Sequence, residues 1–195
     1  FCILISQTKL PNTKSISYFP VFLLILSFVL NRIAFNMTKE LIQHLSSFVT
    51  PKRFNLFNDI VRYRTQYISV LLEDIFQAHN ASAVLRSCDC FGIQDVHIIE
   101  NENEYTVNPD VALGATNWLN LHKYNTQDNN TVTAINQLRK KGYRIIATTP
   151  HTEEVNLDEF DISKGKFVLM FGSEQPGLTK TALEHADEFL KIPMY

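Results

Sequence analysis

Three side chains in this chain have the types and setting to do polar chemistry at one site: Asn80, Arg86 and Glu174. The first two belong to the run His79-Asn80-Ala81-Ser82-Ala83-Val84-Leu85-Arg86-Ser87-Cys88-Asp89-Cys90-Phe91-Gly92. This run predicts a short amphipathic helix with Asn80 as N-cap. Ala83, Val84 and Phe91 are expected to face a core, and Gly92 to take the left-handed conformation that ends a helix. Asn80 and Arg86 are six apart and do not stack, but both can border one cavity. A guanidinium stays protonated, so Arg86 is a poor general base. It suits clamping a phosphate and stabilising a developing oxyanion. The bland alternative pairs Arg86 with Asp89 or Glu100. Glu174 lies in Val168-Leu169-Met170-Phe171-Gly172-Ser173-Glu174-Gln175-Pro176-Gly177-Leu178, an apolar strand that opens into a Gly-x-Glu-x-x-Gly loop. Its bland alternative is an exposed loop carboxylate.

The elements that must hold these residues alternate. Leu41, Ile42, Leu45 and Phe48 predict a first helix, and Phe54 to Tyr63 a second after Pro51. Strands are predicted at Tyr67–Leu72, Val96–Ile99, Trp118–His122, Tyr143–Thr148, Phe167–Phe171 and Phe189–Ile192. Between them, Val111 to Ala115 predicts one helical turn. Asn129 and Asn130 cap a helix that Gly142 stops, and Thr179 caps another. Several strands are continuous apolar runs, which predicts an α/β domain with a mostly parallel sheet flanked by helices. In such sheets ligands bind beyond the carboxyl ends of the strands, where Thr148, the Gly172 loop and Ile192 fall. No Gly-x-Gly-x-x-Gly follows the first strand, which argues against a dinucleotide site.

The Asn80–Gly92 run and the Gly172–Gly177 loop, in this order, resemble the first two signatures of the SpoU (TrmH-type) RNA 2′-O-ribose methyltransferases. The last residues, Ile192-Pro193-Met194, resemble the opening of the third. The resemblance covers about Leu56 to Tyr195 and implies a SPOUT-type α/β fold with a deep trefoil knot, whose knot-forming segment is largely missing here. It implies S-adenosylmethionine as methyl donor, held by Thr148, Gly172, Ile192 and Met194, with no metal expected. Arg86, Asn80 and Glu174 take the catalytic positions. Family members act as homodimers, with the arginine and the cofactor meeting at a composite interface. Within the family the chain looks closest to the tRNA enzymes that methylate the D-loop guanosine 18. The alternatives are a ribosomal RNA 2′-O-methyltransferase, a non-catalytic RNA-binding protein of the same fold, or an unrelated nucleotide-binding α/β domain.

Composition neither supports nor excludes an RNA partner by itself. The 195 residues carry a net charge of −2, so no global basic field exists. Local clusters can line a phosphate backbone: Lys52, Arg53, Arg62 and Arg64, taken as RNA-binding, and Arg139, Lys140, Lys141 and Arg144. A helix C-terminus also favours cations, which is the bland reading of the second cluster. Cys2, Cys88 and Cys90 form no disulfide framework, and Cys-x-Cys lacks a second ligand pair for a metal.

The apolar run Val21–Leu30 is too short to span a bilayer. Residues 1–36 are therefore expected to be a non-native upstream segment before Met37, with a membrane anchor as the rival. Residues 37–64 are expected to form a helical extension and 65–195 a methyltransferase domain truncated at its C-terminus. Location is expected to be cytoplasmic, with no membrane partner.

Overall fold

A parallel strand pair needs a long crossover, and a helix is the usual one. The chain follows that rule. The structure, a computed structural model, describes residues 38–151 and 155–192. The run at 21–30, the start expected at Met37, and Met194 lie outside the described residues. The chain divides into two units at Asn58/Asp59.

In the first unit residues 38–46 form α1, which exposes Leu41, Ile42 and Leu45. Helix α2 (Pro51–Val61) starts there with proline at its first position, where the missing N–H costs nothing. Thr50 Oγ1 accepts from the Arg53 N–H at 3.3 Å.

The second unit is built on β1 (Ile68–Glu73), α3 (Ala78–Cys90), β2 (Asp95–Ile99), α4 (Pro109–Ala112), β3 (Asn120–Tyr124), α5 (Asn130–Lys140), β4 (Arg144–Thr148), β5 (Phe167–Phe171), α6 (Lys180–Glu184) and β6 (Glu188–Leu190). The six strands form one parallel sheet in the order β3-β2-β1-β5-β4-β6. Leu71 pairs with His97 on one side and Met170 on the other. One face packs Val70, Leu72, Val96 and Ile98 against Ala81, Leu85 and Cys88 of α3. The other packs Leu71, Ile145, Val168 and Met170 against Ala134, Ile135 and Leu138 of α5. Two covered faces explain why the strands read as unbroken apolar runs. The implied knot is not visible among the described residues.

Several expectations are corrected. Helix α3 starts at Ala78 with Gln77 in the cap position, so Asn80 sits inside the first turn and is not the N-cap. The buried stripe is Ala81, Leu85 and Cys88, at helical spacing. Ala83 is exposed and Phe91, beyond the helix end, is 81% exposed. Strand β3 begins two residues later than expected, because a 3₁₀ turn at Ala115–Asn117 leads into Trp118. Strand β6 is confined to Glu188–Leu190. Gly92 does take a left-handed φ of +74°, and a Cβ there would lie 2.2 Å from the Tyr63 carbonyl oxygen.

Candidate active site

The strand order reverses between β1 and β5: successive strands β1, β2 and β3 run outward one way, and β5, β4 and β6 lie on the other side. Loops leaving the two central strands must part at that point and leave a crevice. A cleft of about 360 Å³ lies there. Its walls are Ile75 to Gln77 with Asn80 on one side, and Ser173 to Gln175 on the other. Asn80 and Glu174, from the two separate motifs, thus meet in one cavity. Among the described residues neither side chain has a hydrogen-bond or ion-pair partner, and the same holds for the Gln77 side chain.

Two carboxylates not singled out in the sequence shape this crevice. Glu73 ends β1 almost fully buried. It accepts from Thr131 Oγ1 at 2.6 Å, Thr179 Oγ1 at 2.8 Å and the Thr179 N–H at 2.9 Å. It therefore ties the start of α5 and the cap of α6 to the central strand. Thr179 in turn caps α6 by accepting from the Ala182 N–H. Asp74 follows with a φ of +47°. Its Oδ1 accepts from the backbone N–H groups of Asn101, Glu102 and Asn103 at 2.8, 2.9 and 3.2 Å. The available signal was an acidic pair closing an apolar strand.

The loop after β5 folds back on itself. A Cβ on Gly172 would lie 2.1 Å from the Gly177 carbonyl carbon, and Gly177 has a φ of +90°. Only glycine fits the first position, and glycine is strongly favoured at the second. The backbone N–H groups of Ser173, Glu174, Gln175, Gly177 and Leu178 donate to no acceptor among the described residues. They stay available to a ligand.

The remaining expected site residues divide. Thr148 ends β4 beside this loop, with Thr148 paired to Leu190 of β6 and Ala147 to Met170 of β5. The Thr148 hydroxyl donates to the Met170 carbonyl at 2.7 Å, so its proton is committed and its oxygen is left to accept. Ile192 follows β6 and is 42% exposed. The ends of β5, β4 and β6 therefore lie side by side.

Arg86 does not line the cleft, contrary to the expectation that it shares a cavity with Asn80. Six helical residues carry it about 9 Å along the axis and some 120° short of two full turns. It is exposed and has no partner among the described residues. Its two bland partners are taken: Asp89 pairs with Arg64, and Glu100 with Lys123 at 2.6 Å.

The basic residues also sort themselves. Lys52 and Arg53 are exposed on α2 in the first unit, and Arg62 is exposed in the second. Arg64 has a half-buried guanidinium committed to Asp89. In the second cluster Arg139 donates to Asp187 at 2.5 Å and to the His185 carbonyl at 2.7 Å. Arg144 pairs with Glu188. Those two arginines brace β6 and are not free for phosphate, which leaves only the exposed Lys140 and Lys141 of that cluster for such a role.

The opposite, amino end of the sheet is polar in a different way. Asp95 receives hydrogen bonds from Gln66 at 2.8 Å and Asn120 at 3.0 Å, and pairs with His122 Nε2 at 2.9 Å. Burial pushes its carboxyl up, but the bonds from His122, Asn120 and Gln66 outweigh that and hold it below the ordinary value. His97 stacks on His122 at 4.6 Å and contacts the Tyr124 hydroxyl at 3.0 Å. Burial, with His122 and Lys141 nearby, pulls His97 down to about 3. Burial raises the Cys88 thiol to about 11, and Cys90 is exposed.

A parallel α/β sheet with a polar cleft at its switch point defines a ligand-binding protein whose chemistry sits on the carboxyl-end loops. The family described as the SpoU rRNA Methylase family matches residues 67–195. The chain is 42% identical, over 77% of its length and 67% of the relative's, to a tRNA (guanosine(18)-2'-O)-methyltransferase of Borreliella burgdorferi. The crystal structure of the A. aeolicus TrmH/SpoU tRNA modifying enzyme superposes with a TM-score of 0.64 at 28% identity, covering 74% of this chain and 71% of that one. The SpoU methyltransferase AviRb of Streptomyces viridochromogenes, in complex with the cofactor AdoMet, shares the fold. Its TM-score is 0.56 at 19% identity, covering 70% of this chain and 52% of the other. This chain belongs to the SpoU methylase family.

Proposed function

We propose that this protein is an S-adenosylmethionine-dependent tRNA 2′-O-ribose methyltransferase that acts on the D-loop guanosine 18, as a cytoplasmic homodimer. The observation that carries the reading is the meeting of Asn80 and Glu174, both without protein partners among the described residues, in the switch-point cleft. The substrate assignment rests on relatives named for guanosine 18 of tRNA.

The carboxyl ends of β4, β5 and β6 fit the methyl donor by their donor set: bare glycine backbone, unpaired N–H groups and the exposed Ile192 side chain. Thr148, Gly172, Ile192 and Met194 are the residues assigned to hold it. When bound, it supplies a methyl group activated by a sulfonium. The protein's own part is to position the ribose and manage charge. Asn80 offers an amide with donors and an acceptor to the ribose, and Glu174 offers the cleft's carboxylate. Arg86 clamps a backbone phosphate and stabilises the negative charge that grows on the 2′-oxygen as its proton passes to the Glu174 carboxylate or to solvent. Because Arg86 faces away from its own chain's cleft, the reading delivers it to the cleft of a second copy. Lys52, Arg53 and Arg62 supply phosphate contacts. Arg64 belongs to that expected set but is engaged with Asp89.

Ribosomal RNA is the second reading, favoured by the description of the family that matches. Labelled methyl transfer to unmodified tRNA, and to the same tRNA with 2′-deoxyguanosine at position 18, separates the cases. Label on the D-loop ribose of the first and none on the second is expected. Label only on ribosomal RNA moves the substrate. Tight RNA binding without label points to a non-catalytic binder.

A further inference from the structure

The mouth of the cleft carries an aromatic ring that neither the motifs nor the cores account for. Phe76 is 77% exposed yet lines the cavity with Asn80 and Glu174. Its neighbour Ile75 packs against the α3 face of the core, whereas Phe76 belongs to none of the hydrophobic clusters. An exposed phenylalanine on a mobile loop would mean little. This one is fixed from both sides. Asp74, two residues before it, accepts three backbone N–H groups, donates its own N–H to the Ile99 carbonyl at 3.0 Å, and accepts from Asn103 Nδ2 at 3.3 Å. Gln77, one residue after it, is the cap of α3, its carbonyl accepting from the Asn80 N–H at 3.0 Å. The backbone that carries the ring is therefore held before any ligand arrives.

Single-stranded RNA is read by splaying bases out of their stack onto aromatic faces and bonding their edges. The cleft has both parts: one free aromatic face, and beside it the side-chain amides of Gln77, Asn80 and Gln175, each able to donate and accept. A ribose whose 2′-oxygen reaches Asn80 brings its own base to the rim where Phe76 stands. We propose that Phe76 stacks on the base of the nucleotide being methylated, with Gln77 beside it on the base edge. The inference rests on the functional reading above and adds a specificity residue to it.

The test is methyl transfer by the full-length protein to tRNA carrying either guanine or no base at position 18, the ribose kept in both. Phe76→Ala is expected to raise KM for intact tRNA about 5- to 100-fold, the range of a lost base–aromatic stack. Phe76→Tyr and Phe76→Trp should restore it, and Phe76→Leu should not. On abasic tRNA the wild type should show at least that loss, and Phe76→Ala should add nothing further, because the base on which the ring stacks is already gone. Affinity for S-adenosylmethionine and melting temperature should not move. Equal KM for wild type and Phe76→Ala, rescue by leucine, or additive losses overturn the stacking while leaving the methyltransferase reading intact. A wild type that methylates no RNA overturns both.

Discussion

The two ends of the sheet carry similar residue types and treat them in opposite ways. At the amino end Asp95, His122, Asn120 and Gln66 form a shared network, and His97, buried in mid-strand, stacks on His122 and bonds to Tyr124. At the carboxyl-end cleft Asn80, Gln77 and Glu174 stand without protein partners among the described residues, and so does Arg86 farther along α3. A buried polar group left unpaired costs free energy, so the first set is explained by folding alone. The second set is at least partly open to solvent and gains no protein partner from folding, and the proposed function gives its positions a ligand to serve. Glu73 and Asp74 mark the border: they sit at the carboxyl end but are saturated, and they hold the loops that carry the bare residues.

The sharpest way to break this contrast is to mix inactive chains. Arg86→Ala and Glu174→Ala are each expected to cut methyl transfer by about 10²–10³-fold, the scale of removing one group that stabilises transition-state charge. If Arg86 acts across a dimer, co-refolded mixtures regain a substantial part of wild-type activity, since one site of each mixed dimer is intact. A mixture as inactive as its parents would place Arg86 in its own chain's cleft.

Asp95→Ala should do the reverse. It leaves His122, Asn120 and Gln66 without their acceptor and should cost about 2–3 kcal/mol of stability. Denaturant melts read the loss, while activity below the transition stays near wild type.

Acid should attack the same network and the His97 stacked on it. His97 has a folded pKa near 3 against an ordinary 6.5. The unfolded chain therefore binds the extra proton first, and this stability is complete above pH 6.5 and lost as pH falls toward 3. Asp95, held below its ordinary value, adds a loss that sets in as pH drops below that value. Melting temperature should fall as pH is lowered through this window, and His97→Leu should flatten its upper part.

The smallest effects belong to the basic residues. Lys52→Ala, Arg53→Ala and Arg62→Ala should each weaken tRNA binding modestly and lower the salt slope by about one. Arg64→Ala should lower stability and leave the slope alone, because its guanidinium is paired with Asp89.

Most of the sheet was legible because a strand buried on both faces leaves a plain apolar run, and because Asn129 and Thr179 cap as their types predict. The Asn80–Arg86 relation was not. The cap expected at Asn80 is at Gln77, and the buried stripe is Ala81, Leu85 and Cys88; Val84 packs against that core as expected, while Ala83 and Phe91 are exposed. The cleft was legible as two motifs, but not Phe76 or the Glu73–Asp74 anchor. Their roles depend on threonines and backbone N–H groups brought together from distant parts of the chain. Free and committed arginines also look alike in sequence, and only folded distances separate Arg86 from Arg64, Arg139 and Arg144.

The central claim is that the partnerless residues serve chemistry and the saturated ones serve the fold. Its most direct test is Arg86→Ala beside the wild type, with labelled methyl transfer to unmodified tRNA and thermal melting measured on the same samples. The account predicts label on the D-loop ribose for the wild type, near-complete loss in the variant, and one shared melting temperature. Equal label in both, or a loss matched by a lower melting temperature, would contradict it.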